Sequence, residues 1–199
     1  MRDFVFVSFL ILHLIVDTSM IIRKKFRFEG AHIVRNCTSQ RCRENIHGHS
    51  YEVEVFLKSD KLDNGFMVMD FVLLSSVAEF IHSFDHSYTL WDQETLAVKE
   101  AIYQINTRVA EIPVSPSAEG YALLFFFVID RIISKTVFTN GEGFVKLQAV
   151  RVHETQSGYA EASVEDLSLV GFTPHDIRFN DGIQKDWKNK TWWNQITNS

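Results

Sequence analysis

The sequence predicts an α+β fold, an antiparallel sheet packed on helices. Three observations lead there. Residues 21–29 and 47–58 are rich in β-branched and aromatic side chains and alternate polar with apolar residues, as strands do. The middle of the chain carries helical signals, including a nine-residue apolar run from Tyr121 to Ile129. After it, residues 144–155 and 158–164 alternate again, so strands flank the helices on both sides.

The elements follow in order. Residues 5–16 are mostly apolar, interrupted by Ser8 and His13. That run is too short for a spanning helix, which takes about 20 residues. It also lacks a strong basic start and a small-residue cleavage site. Residues 1–19 therefore read as an extension outside the fold, with an export signal as the alternative. The first strand leads into a long polar connection, "IVRNCTSQRCRENI". On the second strand, Tyr51, Val53, Val55 and Leu57 share a face with His47 and His49. Asn64-Gly65 marks a turn, and Asp70 is placed to cap a helix over 71–84. Residues 91–109 are helix-like with poor boundaries, and residues 116–135 form a clear helix with Ser117 as its cap. Its apolar run is read as core, because Asp130 and Arg131 end it far short of a membrane span. Residues 20–164 thus form the domain, and residues 165–199 an aromatic extension carrying Trp187, Trp192 and Trp193.

Composition narrows the function. The chain has 199 residues, 46% hydrophobic and 23% charged, which suits one globular domain. A formal charge of -5 argues against a general nucleic-acid binder but not against a small anion in a locally basic pocket. Only Cys37 and Cys42 could form a disulfide, closing too short a loop to stabilise much, so both read as reduced thiols of a cytoplasmic protein.

The chemistry concentrates in histidines. "HGH" puts His47 and His49 on one face at the head of the second strand, and His32 ends the first. If the two strands pair as a hairpin, three imidazoles converge, the donor set with which zinc keeps an open coordination position. Cys37, Cys42, His47 and His49 also have the inventory of a structural zinc site. The one-residue gap between the histidines is shorter than the three to five of zinc fingers, which makes this the weaker reading.

The ordered set "FRFEGAH", a cysteine before "HGHSYEVEV", "GFMVMDF", "FDH", "PSAE" and "VHET" resembles the 6-pyruvoyltetrahydropterin synthase / 6-carboxytetrahydropterin synthase family over roughly residues 20–160. The resemblance implies the tunnelling fold: a four-stranded antiparallel sheet with helices on one face, closing into an oligomeric barrel, usually a homohexamer. It implies that His32, His47 and His49 hold Zn2+, that Cys42 is the base, and that Asp85 and His86 relay protons. It matches Glu154 to the glutamate that anchors the pterin, and Glu119 and Ser117 to further substrate-binding positions. Four residues separate Cys42 from His47, where relatives have three or five, so Cys37 stays a second candidate base.

The expected activity is conversion of 7,8-dihydroneopterin triphosphate to 6-carboxy-5,6,7,8-tetrahydropterin, with loss of acetaldehyde and triphosphate, on the path to queuosine. The alternatives are pyruvoyl synthesis by triphosphate elimination and a non-catalytic, zinc-stabilised interaction domain.

Overall fold

The computed structural model describes residues 19–198, so residues 1–18 and the extension read there lie outside the described residues. In chain order, β1 (Met20–His32) leads through a short helix α1 (Gln40–Glu44) to β2 (His47–Ser59). A 3₁₀ turn (Phe71–Leu74) opens helix α2 (Ser75–His82), followed by β3 (Ser87–Trp91), α3 (Leu96–Ile105) and β4 (Val109–Ile112). The long helix α4 (Ala118–Lys135) precedes β5 (Lys146–Thr155) and β6 (Gly158–Ala162). The tail adds β7 (Arg178–Phe179), α5 (Asp181–Gln184) and α6 (Trp192–Thr197).

The local signals act as expected at several ends. The Asp70 carboxylate accepts from the Val72 amide at 3.0 Å, and Ser117 Oγ accepts from the Gly120 amide at 3.2 Å. Each satisfies one of the orphan N–H groups at a helix start. β1 and β2 pair antiparallel along their whole length, with His32 opposite His47 and Phe28 opposite Tyr51. β5 pairs antiparallel with β2 and with β6.

The sheet corrects the expected four antiparallel strands. It has seven strands in the order β6-β5-β2-β1-β3-β4-β7, and it is mixed. β3 runs parallel to β1, and β4 runs parallel to β3. These two strands have only five and four residues and are buried on both faces, so they show no polar/apolar alternation to read. The helix-like stretch 91–109 is helical only over α3, which makes the crossover that parallel strands require.

Helices also lie on both faces. α2 and α4 cover one side, and the main core there includes Phe28, Tyr51, Phe80, Phe84, Tyr121 and Phe125. α3 contributes Ile102 to a smaller core with Ile33, Tyr88, Leu90 and Val109. Ala31 packs against this second core while His32 next to it faces α4, so the second core is on the opposite side of the sheet. The tail packs into the main core through Phe179, Ile183, Trp187, Trp192 and Trp193. Among the described residues no helix is long and apolar enough to cross a membrane.

Candidate metal and active site

The β1/β2 hairpin builds the imidazole triangle. Strand alternation puts Phe28, Gly30 and His32 on the α4 side, and the antiparallel register sets Tyr51, His49 and His47 directly opposite them. Ring centroids are 4.4 Å apart for His32 and His47, 5.3 Å for His32 and His49, and 5.2 Å for His47 and His49. One ligand atom from each lies within 4.8 Å of the others.

The ring orientations fit a metal. His32 Nδ1 lies 2.5 Å from the Pro116 carbonyl, and His47 Nδ1 lies 3.0 Å from the Asn45 carbonyl. A carbonyl only accepts, so both Nδ1 atoms donate, and in the neutral rings the lone pairs lie on Nε2. The two Nε2 atoms face each other at 3.1 Å, a contact in which two neutral rings with Nδ1 protonated have no proton to offer. A shared cation would satisfy both. His32 is fully buried, and burial pushes its pKa down to about 4; the Pro116 bond opposes that and the charges of His47 and His49 add to it. The ring is therefore neutral near pH 7, the form that coordinates metal.

Glu154 closes the fourth side. Its Oε1 is 3.6 Å from His32 Nε2 and 3.7 Å from His49 Nε2, and it accepts a 3.2 Å bond from the Tyr51 hydroxyl. Tyr51 is buried and stacks on Phe28 with centroids 4.6 Å apart. Burial, together with Tyr121 and Glu154, raises its pKa, so it stays a donor. The sequence reading gave Tyr51 no role, although its place on the face of His47 and His49 was a signal.

The remaining candidates are spread around this end of the sheet. Cys42 sits half-buried on α1, and its carbonyl accepts from the Val34 amide at 3.0 Å, pinning the loop to the hairpin. Cys37 is also a free, half-buried thiol, and its Sγ lies 3.3 Å from the Ser39 carbonyl. Neither thiol belongs to a metal-sized group among the described residues, so the Cys₂His₂ arrangement is not formed. Ser117 caps α4, which uses a lone pair and leaves its O–H free to donate. Glu119 is exposed in the first turn of the same helix.

Asp85 and His86 lie elsewhere. Asp85 accepts from the Glu29 amide at 2.8 Å and faces His86 Nδ1 at 3.0 Å. Burial works against its charged form, but the Glu29 amide and His86 outweigh it and hold the carboxyl below its ordinary range. His86 has a mostly exposed side chain and borders a groove at the sheet end that is also lined by Glu29, Ala31, His49, Ser50 and Tyr88. Among the described residues, no hydrogen bond or ion pair links this pair to the triangle or to Glu154.

The model of the 6-pyruvoyl tetrahydropterin synthase family matches residues 21–165. The chain belongs to this family. A 6-carboxy-5,6,7,8-tetrahydropterin synthase of Helicobacter pylori is 43% identical over 182 residues, covering 89% of this chain and 91% of its own. That alignment is longer than the family match and takes in part of the tail. A synthase of the same name from Aquifex aeolicus is 31% identical over 167 residues, covering 72% of this chain and 98% of its own. Among solved structures, an uncharacterised protein of Wolinella succinogenes superposes with a TM-score of 0.58 at 20% identity, covering 73% of this chain and 98% of that one. The 6-pyruvoyl tetrahydropterin synthase of Plasmodium vivax gives 0.51 at 19% identity, with the same coverage. The fold is thus the tunnelling fold of the synthase family.

Proposed function

We propose that this chain is a zinc-dependent 6-carboxytetrahydropterin synthase. It converts 7,8-dihydroneopterin triphosphate to 6-carboxy-5,6,7,8-tetrahydropterin, releasing acetaldehyde and triphosphate, in the cytoplasmic synthesis of queuosine. The observation that carries the reading is the imidazole triangle, with the His32 and His47 Nε2 atoms turned toward each other, in a family member 43% identical to the Helicobacter pylori enzyme.

His32, His47 and His49 would hold the zinc, whose Lewis acidity, when bound, eases removal of protons beside the substrate's hydroxyls. Cys42, on α1 beside the hairpin, takes such a proton as the base. Glu154, steadied by Tyr51, accepts hydrogen bonds from the amino-pyrimidinone edge, and Glu119 and Ser117 bind substrate beside it. Asp85 and His86 relay protons, with the carboxylate orienting the ring. Among the described residues no hydrogen bond or ion pair ties that pair to its own triangle, and in this proposal it serves the site of a neighbouring copy. This favours a homo-oligomer, a hexamer in our reading, with active sites at subunit interfaces.

The test is incubation with 7,8-dihydroneopterin triphosphate and product analysis. Acetaldehyde release is expected. A pyruvoyl product would assign the chain to the other branch of the family. No consumption by the zinc-loaded oligomer would remove both and leave the interaction-domain reading.

A further inference from the structure

The Asp85–His86 turn is under backbone constraint. His86 has φ of 50°, the left-handed region that residues other than glycine seldom adopt. On the β1 side it is fixed by the Glu29 backbone, whose carbonyl accepts from the His86 amide at 2.7 Å and whose amide donates to Asp85 at 2.8 Å. On the other side one side chain holds it. Arg108, which directly precedes β4, donates from Nε to the Asp85 carbonyl at 3.1 Å and from Nη2 to the His82 carbonyl at 3.3 Å. A single planar guanidinium thus bridges the end of α2 and the turn that follows it.

The guanidinium is itself held by the tail. Arg108 Nη1 contacts the Gly182 carbonyl at 3.4 Å and forms an ion pair with the Asp186 carboxylate. The tail is locked beside it. Asn180 exchanges 3.1 Å hydrogen bonds with the backbone of Val109 and donates to the Thr107 carbonyl at 3.1 Å. A side chain at position 182 would put its Cβ 1.6 Å from the Thr107 carbonyl oxygen, so only glycine allows this approach. Trp187 Nε1 donates to Ser83 Oγ at 2.9 Å, and the Lys188 amide meets the Glu79 carboxylate. Asp85, His86, Arg108 and Asp186 line one cavity of about 650 Å³ between α2 and the tail.

We infer that Arg108, anchored by Asp186 of the C-terminal tail, is a positioning residue that holds the Asp85–His86 pair in the geometry its proton relay needs. The inference rests on the proposed lyase reading for the role of that pair. It makes the tail, which lies beyond the family match, a part of the catalytic apparatus rather than an ornament on the domain.

The test uses the full chain as the unaltered protein, Asp186→Ala and Asp186→Glu, measuring turnover of 7,8-dihydroneopterin triphosphate, bound zinc, melting temperature and the NMR signals of the His86 ring. A misplacement of about 1 Å can cost on the order of 10²-fold in rate. Asp186→Ala is therefore expected to lower kcat about 10–100-fold with KM and zinc content unchanged and the His86 signals moved. Asp186→Glu is expected to restore most of the rate. Unchanged kcat and unchanged His86 signals in Asp186→Ala would overturn the inference. So would a loss that Asp186→Glu does not recover and that follows a lower melting temperature or lost zinc. If the unaltered protein consumes no substrate, the lyase reading fails on its own, and the His86 signals still decide whether Asp186 holds the turn.

Discussion

The two faces of the sheet at the β1/β2 hairpin each carry a cluster of metal-ligand residue types that could hold an ion, the second completed by His153 of β5. On the α4 side are His32, His47 and His49; on the other side are Glu52, Glu54 and His153, also with ligand atoms within 4.8 Å of one another. The donor atoms differ in what else they touch. His32 and His47 each donate from Nδ1 to a carbonyl and turn Nε2 toward each other. The carboxylates are already occupied. Glu54, almost fully buried, pairs with Arg23 at 2.6 Å, His153 at 3.4 Å and Arg151 at 3.8 Å. Glu52 pairs with Lys25 at 2.5 Å and Arg27 at 3.1 Å. Four fixed cations stand where a divalent ion would have to enter, so the second cluster is an ion-pair network. Residue type and spacing nominate a site; the bonds already made by its atoms decide it.

The sharpest way to break this contrast is His49→Ala. It should abolish zinc retention and lower turnover by more than the roughly 10–100-fold that outer-shell changes cost. Metal analysis after dialysis checks it, and full zinc occupancy would dissolve the contrast.

A smaller effect concerns protons. His32 has a folded pKa of about 4 against 6.5 in the unfolded chain, so between those values the unfolded state binds more protons. Stability of the metal-free protein should then be full above pH 6.5 and fall toward pH 4, by on the order of 3 kcal/mol for this group. NMR titration of the His32 ring in metal-free protein reads it directly, and a midpoint near the ordinary value would contradict the buried, neutral imidazole.

The smallest effect belongs to the other face. Glu54→Gln should leave zinc content unchanged while stability falls by about 1–3 kcal/mol, because Arg23, Arg151 and His153 lose their shared carboxylate. Chemical denaturation measures the loss; a drop in bound zinc would show that the two faces are not independent.

Much of the site was legible because it depends on short-range geometry. Strand alternation alone puts His47 and His49 together, and one hairpin brings His32 to them. The Asp70 and Ser117 caps follow from a few residues of local sequence. The relation of Asp85 and His86 to the triangle was not legible, since it depends on which side of β1 the next strand joins. The Pro116 carbonyl that sets the His32 tautomer comes from 84 residues away, and a backbone atom leaves no mark in the sequence.

By itself, then, the sequence determined the antiparallel strands β1, β2, β5 and β6, the long helix and the three imidazoles, because each is written in a local period. Only the tertiary structure decided that β3, β4 and β7 extend the sheet, that α3 covers its other face, and that the tail locks Arg108 against the Asp85–His86 turn. Those strands have two to five residues, too few to show a period, and long-range pairing and core burial hold them in place.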